Sequence, residues 1–301
     1  MKKFILVLTV ILIQIPLLTQ AQSSNLPTDS IPFQLSSHNN IIIEALLNGE
    51  DSVKLMFHTG TGSLSIIRSS SPKLKSIKWT TETKVKSWGG SSTARFSENN
   101  SLRIEGMIWD SLPIWENENS GPGTDGKFGP NFFEAKILAF DFERNLLFLY
   151  EGLPVNISEY SKMPITNKDG SLFIEAWTVI GENRYKNSFL IHTGFGGSVL
   201  YDDAFSEKHK LGEQLEITNE NELRDSYGNV LKTKKALLPN FQIGEFNIKG
   251  LPIGFFEGSI GRQKISVIGG DIIKRFNIVL DAERQFIYIK PNALMSTPYK
   301  A

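Results

Sequence analysis

The sequence contains no cysteine, which excludes disulfides, a thiolate nucleophile and any zinc site built on cysteine. Net charge is absent as well, because 32 Lys and Arg residues balance 32 Asp and Glu residues. Nothing in the charge therefore favours nucleic acid or an anionic membrane surface as a partner. Histidine is scarce, with four in 301 residues, so the position of each one is informative.

The first 21 residues have the pattern of a secretory signal peptide. Two lysines precede an almost unbroken apolar run from Phe4 to Ile13, and Thr19–Ala21 then offers small residues at the positions that signal peptidase reads. The alternative is an uncleaved membrane anchor, but the run is short for a span and is interrupted by Gln14 and Pro16. We therefore predict that residues 1–21 are removed, and that the mature protein is periplasmic or extracellular and has no membrane span.

The rest of the chain is an internal duplication. The segment that starts at Phe128 aligns without a gap with the segment that starts at Ile268, 140 residues later. FHTGTGSLSI, from Phe57, likewise matches IHTGFGGSVL, from Ile191. Because the matching segments follow in the same order, we predict two similar lobes, residues 22–152 and 153–301, joined through the polar segment EGLPVNISEYSK.

Both lobes are predicted to be mostly β. Turn residues separate short segments that are apolar and rich in β-branched or aromatic side chains: Ile41–Leu47, Val53–Phe57, Phe173–Ile180, Phe189–Ile191, Ile278–Leu280 and Phe286–Ile289. One short helix per lobe is predicted after Asn131 and after Asp271, because each is a good N-cap residue before an apolar pair. For Asp271 we favour this capping role over a catalytic one.

Two of the four histidines occupy equivalent positions of the repeat. His58 and His192 each follow an apolar strand and directly precede Thr-Gly. A surface histidine without a role would not be expected to match its repeat partner, so this pair is the candidate for chemistry. The structural alternative is a pair of satisfied histidines whose symmetry is inherited from the duplication.

Three motifs recur in the same order in the two lobes. They are FHTG from Phe57, SWGG from Ser87 and KFGPNFF from Lys127, then IHTG from Ile191, SYGN from Ser226 and VIGGDII from Val267. This order resembles that of pepsin-like and retropepsin-like aspartyl proteases, in which two-lobed members carry it twice. The resemblance covers nearly the whole mature chain. It implies a mostly β, two-lobed pepsin-like fold, a cleft between the lobes, and peptide-bond hydrolysis as the chemistry of the family.

The resemblance also implies roles for the residues next to the two histidines. Thr59 and Thr193 would lock the two loops together across the lobe interface, which indicates that the geometry of the scaffold is kept. Gly60 and Gly194 would provide the turns that follow. We therefore expect both loops to be present in outline.

The resemblance also implies a flap hairpin at the SWGG motif of the first lobe and at the SYGN motif of the second, and each motif contains an aromatic residue. Trp88 and Gly89 are candidate substrate-binding residues in the first lobe, and the resemblance implies that Trp88 closes over a bound chain. Tyr227 is the equivalent candidate in the second lobe. For Tyr227 we favour packing on its own hairpin, because only the first lobe of two-lobed proteases carries the functional flap.

The departure from the family is that His58 and His192 stand where both catalytic aspartates would be. The family mechanism holds two carboxyls around one water, and they share a proton because two like charges in contact cannot both ionise. A neutral imidazole is longer than a carboxylate and has one acceptor and one donor instead of two coplanar acceptors. We therefore expect loss or strong alteration of the usual activity.

Three functions remain open for the histidine pair. We favour a non-catalytic protein whose cleft binds an extended peptide or an unfolded protein segment by strand pairing. The first alternative is a hydrolase that uses His58 and His192 as an acid/base pair near neutral pH. The second is a metal-binding protein, although two ligands are fewer than zinc normally has. No cofactor is predicted, and a monomer is expected because a two-lobed chain completes the site alone.

Overall fold

The computed structural model describes residues 26–87, 90–224, 230–256 and 263–299. The fold is mostly β, as the short apolar segments predict. The first strands are β1 (Asp29–Pro32), β2 (Gln34–Leu35), β3 (Ile41–Leu47), β4 (Asp51–Phe57), β5 (Leu64–Ile67), β6 (Thr81–Ser87), β7 (Gly90–Ile104), β8 (Met107–Asn117), β9 (Gly126–Phe128), β10 (Ile137–Asp141) and β11 (Leu146–Tyr150).

The second half of the chain continues in the same way. Its strands are β12 (Ser161–Pro164), β13 (Thr166–Lys168), β14 (Ser171–Ile180), β15 (Asn183–His192), β16 (Val199–Leu200), β17 (Ile217–Arg224), β18 (Val230–Ile243), β19 (Phe246–Phe255), β20 (Ser266–Gly269), β21 (Phe276–Leu280) and β22 (Phe286–Pro291). Short α-helices are α1 (Asp203–Lys208), α2 (Leu211–Gln214) and α3 (Gly270–Ile273), and 3-10 turns lie at Ser71–Lys73, Pro130–Phe133, Ile157–Glu159 and Ala293–Ser296. Among the described residues, no helix has both the length and the apolar character to cross a membrane.

Each lobe is built on one eight-stranded sheet. The strand order is β2-β3-β4-β9-β5-β8-β7-β6 in the first lobe and β13-β14-β15-β20-β16-β19-β18-β17 in the second. Every strand of the first sheet therefore has its counterpart eleven strands later, which fits the duplication seen in the sequence. Local chemistry supports the hairpins: Asn48 and Gly49 make the β3–β4 turn with positive φ of 50° and 70°, which asparagine and glycine tolerate best.

A third sheet joins the lobes, and sequence analysis did not predict it. Its six strands run β1-β11-β10-β21-β22-β12, so each lobe contributes three. At its centre β10 pairs antiparallel with β21, and Ala139 lies opposite Val279. These two residues are equivalent in the repeat, being 140 positions apart. An approximate two-fold axis therefore passes between them and relates the lobes.

Phenylalanine packing anchors the end of β4. Phe57 contacts Phe128 edge-on at 5.6 Å between ring centroids and Phe140 of the shared sheet at 5.2 Å. All three side chains belong to one apolar cluster that extends through both lobes. Because Phe57 is buried and directly precedes His58, the core fixes the position from which that histidine leaves the strand.

The predicted helix caps are wrong in both lobes. The turn at Pro130–Phe133 and helix α3 each begin after a glycine, Gly129 or Gly269, and neither has a side-chain cap. Glycine is required at the position before each helix because a side chain there would clash with a loop carbonyl. A Cβ on Gly129 would lie 1.8 Å from the carbonyl oxygen of Thr61, and one on Gly269 would lie 2.3 Å from that of Gly197.

Asp271 consequently lies inside α3 and has a different structural role. Loop carbonyls replace the side-chain cap, since the Gly270 amide donates to Phe195 O at 2.7 Å and the Asp271 amide donates to Gly197 O at 3.1 Å. The Asp271 carboxylate instead binds Lys274 Nζ at 2.7 Å and the Arg275 guanidinium at 3.3 Å. Asp271 is therefore part of a buried ion cluster beneath the loop that carries the second histidine.

Candidate functional site

The two histidines emerge from equivalent strands. His58 directly follows β4, whose last residue lies beside Phe128 of β9 in parallel register, and the His58 amide donates to Phe128 O at 2.8 Å. His192 is the last residue of β15 and lies beside Gly269 of β20. Each histidine is therefore held at the end of a strand in the middle of its sheet, on the side facing the other lobe.

Thr59 and Thr193 bond the two loops to each other. The Thr59 amide donates to Thr193 Oγ1 at 3.0 Å, and the Thr193 amide donates to Thr59 Oγ1 at 3.1 Å. The hydroxyls donate onward across the interface, from Thr59 to Ile191 O and from Thr193 to Phe57 O. All four bonds are buried, so the two loops are held in one fixed relative position.

Gly60 and Gly194 provide space around the His58 ring. A Cβ on Gly194 would lie 2.2 Å from His58 Cδ2 and 2.3 Å from His58 Nε2. A Cβ on Gly60 would lie 2.9 Å from His58 Cε1. Neither glycine has a positive φ, so the turns themselves do not require glycine. The physical reason is instead that any side chain at these positions would displace the imidazole.

The imidazoles of His58 and His192 are in direct contact. Their ring centroids lie 4.7 Å apart and the ring planes make an angle of 74°, which is an edge-to-face arrangement. The Gly60 amide donates to His58 Nδ1 at 3.0 Å, and the proton of the neutral His58 ring is therefore on Nε2. His192 Nδ1 is buried and has no hydrogen-bond partner among the residues that the structure describes.

Burial keeps both rings neutral. It lowers the pKa of His58 well below its ordinary value, and the neighbouring His192 and the Lys127 ammonium lower it further. Burial also lowers the pKa of His192 to about 4, again with a contribution from Lys127. At neutral pH both imidazoles therefore lack a charge. The charged side chain that lowers both pKa values, Lys127, is a cation.

Acid is expected to destabilise the protein through this pair. An unfolded histidine takes up its proton near pH 6.5, whereas folded His192 does so only near pH 4. The contribution of His192 to stability is therefore complete above about pH 6.5 and is lost as the pH falls toward 4, because the unfolded state binds more protons there. At 1.4 kcal/mol per pKa unit, the loss is on the order of 3 kcal/mol.

Urea unfolding between pH 7.5 and pH 4.5 measures this loss. The variant His58→Asn/His192→Asn should lose much less stability over that range than the wild type. His38→Asn, which replaces an exposed histidine, is the matched control and should follow the wild type. An equal pH slope in wild type and double variant would show that the pair does not titrate as described.

Three predicted substrate-binding residues lie outside the described residues. Trp88 and Gly89 fall between β6 and β7, and Tyr227 falls between β17 and β18. The hairpin arms that lead to them are described: Ser87 pairs with Gly90, and Arg224 pairs with Val230. The roles given to Trp88, Gly89 and Tyr227 remain predictions from the sequence.

Sequence analysis missed a support for the second loop. The Asn40 side-chain amide donates to Thr193 O at 3.0 Å, and that of Asn39 donates to Gly196 O at 2.7 Å. Lys274 in turn donates to Asn39 Oδ1 at 2.9 Å. The asparagines come from the first lobe, so the His192 loop is positioned by both lobes. Two adjacent asparagines directly before the buried strand β3 were the only signal.

Lys127 is the second residue that was missed. It is 7% exposed and lies in β9, which is between β4 and β5 in the sheet. Its neighbours on these two strands are Met56 and Ser65. The signal was in the repeat, where the residue 140 positions later is Val267. No group of three or more His, Asp or Glu side chains suited to a metal ion is found in the described part of the chain.

Comparisons with known proteins identify the fold. No family model matches the chain, and no curated protein matches it by sequence. Among solved structures, the chain is similar to the aspartic proteinase from Irpex lacteus, with a TM-score of 0.59 and 12% sequence identity. The match covers 90% of this chain and 99% of that one, so both lobes take part. The chain therefore has the two-lobed fold of a pepsin-like aspartic proteinase, with His58 and His192 meeting where its lobes join.

Proposed function

We propose that this chain is an exported, monomeric member of the aspartyl protease family that binds extended peptide segments in its cleft without hydrolysing them. One observation carries the proposal: two neutral imidazoles in contact at 4.7 Å occupy the junction of the Thr-Gly loops. Export is supported by the signal-like residues 1–21. A single chain already supplies both loops.

The contacts of His58 argue against hydrolysis. Activation of a water needs an acceptor, but His58 Nδ1 already accepts from the Gly60 amide and Nε2 carries the proton. Neutral His192 keeps one acceptor nitrogen, but its pKa of about 4 makes it a weak base near neutral pH. The pair also lacks an acid, because a pKa of about 4 leaves His192 without its second proton near neutral pH. The alternative of an acid/base pair working near neutral pH therefore has little support in this geometry.

The preserved loop contacts argue for a cleft that still binds. Four buried hydrogen bonds between Thr59 and Thr193 and their neighbours keep the two loops in register, although neither loop carries a catalytic acid. Each lobe also carries a long hairpin, β6–β7 in the first and β17–β18 in the second. An extended peptide that adds to such strands gains main-chain hydrogen bonds largely independent of its sequence.

Two assays on the mature protein test the proposal. Fluorescence anisotropy with end-blocked ten-residue peptides of randomised sequence should show binding at neutral pH. Incubation with a denatured protein mixture from pH 3 to pH 8 should show no cleavage by the wild type. If the wild type cleaves near pH 7 and His58→Ala abolishes the cleavage, the acid/base alternative is correct. If no peptide binds, the proposed function is wrong.

Aspartate at both positions provides the matched gain-of-function control. We expect His58→Asp/His192→Asp to cut the same mixture at acidic pH, since two carboxyls at this junction can share a proton. His58→Asn/His192→Asn introduces side chains of the size of aspartate that lack the carboxylic acid, and it should not cleave the mixture. Cleavage by the asparagine variant would indicate a contaminating protease and not an activity of this chain.

A further inference from the structure

The main-chain pairing that joins the β6–β7 hairpin to the body of the first lobe ends before the hairpin does. Strand β7 pairs with β8 from Ile104 as far as Phe96, which lies opposite Trp115. From Phe96 toward Gly90, the only strand that pairs with β7 in the described part of the chain is β6, the edge strand of the sheet. A two-stranded hairpin without further contacts is only marginally stable in water. The part beyond Phe96 therefore depends on side-chain contacts for a fixed position.

A buried carboxylate in β8 supplies these contacts. Arg95 of β7 donates to both oxygens of Glu116, from Nε at 2.9 Å and from Nη2 to the other oxygen, which is a bidentate pair. Arg68 Nε donates to Glu116 at 3.3 Å, and Arg68 Nη2 donates to the Thr93 carbonyl at 3.1 Å. The Ser71 hydroxyl donates to Glu116 at 2.9 Å. We call Glu116, Arg95 and Arg68 the Glu116 clamp, and it holds β7 at two points beyond the last pair with β8.

The second lobe shows that the fold does not require a carboxylate at this position. The repeat offset of 139 residues makes Phe255 the equivalent of Glu116 and Lys234 the equivalent of Arg95. Phe255 is buried and belongs to the apolar core. Because Lys234 lies directly opposite Phe255, the main-chain pairing there reaches one residue pair further than in the first lobe. The first lobe thus has an ionic contact where the second has strand pairing and an apolar side chain.

Water reaches the two cations of the Glu116 clamp but not its carboxylate. The side chains of Arg68 and Arg95 are 45% and 38% exposed, whereas that of Glu116 is 1% exposed. Arg95 also lies over the Trp79 ring at 4.8 Å, and Trp79 leads into β6, so the clamp contacts both arms of the hairpin. If the carboxylate is removed, both arginines can turn to solvent and no unpaired cation is buried. The position of the hairpin can therefore change without loss of the lobe's core.

We propose that Glu116 is a positioning residue for peptide binding, which through Arg95 and Arg68 holds the free part of the β6–β7 hairpin where a bound chain can pair with it. The proposal rests on the proposed function. A peptide that meets a hairpin already in place does not have to order it, whereas a displaced hairpin reduces the apparent affinity by the fraction of time it is displaced. Glu116 acts through the hairpin and not by contact with the peptide, because its two oxygens are taken by Arg95, Arg68 and Ser71.

Glu116→Gln and Glu116→Phe test this role. Glutamine keeps the shape of glutamate without its charge, and phenylalanine is the residue of the second lobe. By anisotropy, both variants should bind the end-blocked randomised ten-residue peptides about tenfold more weakly than the wild type. Amide hydrogen exchange of the unliganded protein should be faster in Thr81–Ser87 and unchanged in Ile41–Leu47 of the same sheet. Urea unfolding shows that each variant is folded.

Glu175→Gln is the matched control. It breaks an exposed cross-strand pair with Lys186, whose side chains are 57% and 47% exposed, and should change neither binding nor exchange in the hairpin. If either folded variant of Glu116 binds as tightly as the wild type, the positioning role is wrong while peptide binding stands. Weaker binding without faster exchange in Thr81–Ser87 would also exclude a role through the hairpin. If the wild type binds no peptide, the proposed function fails and the positioning role with it.

Discussion

Replacing Thr59 with valine is expected to lower the free energy of unfolding by about 2–6 kcal/mol. Valine keeps the shape of threonine but loses the hydroxyl, which accepts from the Thr193 amide and donates to Ile191 O. Both backbone groups are buried and would be left without a partner, and each such loss costs about 1–3 kcal/mol. Urea unfolding followed by tryptophan fluorescence measures the difference.

Thr80→Val is the matched control for this prediction. Its hydroxyl donates to Phe96 O at an exposed position, so water replaces the bond and the change should stay within about 0.5 kcal/mol. The double variant Thr59→Val/Thr193→Val should cost less than the sum of the single variants, because the loops separate once either half is released. Simple additivity would mean that the two threonines do not act as one unit.

Replacing Asp271 with asparagine should destabilise the protein by about 3–5 kcal/mol, the usual cost of removing one partner of a buried ion cluster. Asp271 is 2% exposed, and Arg275, which it binds, is completely buried. The variant would leave two cations, Lys274 and Arg275, without their carboxylate in a region that water does not reach. Thermal and urea unfolding report the loss directly.

The same variant should also weaken peptide binding. Lys274 bonds to Asp271 and to Asn39, and Asn39 in turn bonds to the loop that carries His192. A released Lys274 therefore loosens the position of that loop. Glu213→Gln breaks an exposed pair with Lys210, whose side chains are 70% and 67% exposed, and should change neither property. Equal effects of the two substitutions would exclude Asp271 as an anchor.

The features that were predicted well from the sequence are those that occur in both copies of the internal repeat. The predicted segment Ile41–Leu47 is strand β3, and predicted segment Val53–Phe57 lies within β4. The meeting of His58 and His192 follows from the same source, because equivalent residues of two lobes approach each other near a two-fold axis. A duplicated pattern thus fixes both the elements of a lobe and the place where the lobes meet.

Features that depend on contacts between distant segments were not predictable. The caps of the short helices were assigned to Asn131 and Asp271 from local preference, but nearby loop carbonyls satisfy the α3 amides. The shared sheet places Ile137–Asp141 beside a strand about 140 residues away, and its register has no local signature. Lys127 differs from Val267, the equivalent residue of the repeat, yet its burial and its direction depend on the register of β9.

The shared sheet also imposes an order on how the chain can fold. The first lobe can complete its own eight strands, but β10, with the apolar sequence ILAFD, keeps one open edge until Phe276–Leu280 is available. An open apolar edge strand readily pairs with another copy of itself during synthesis or refolding. The second half of the chain therefore covers an edge of the first half that would otherwise pair with another molecule.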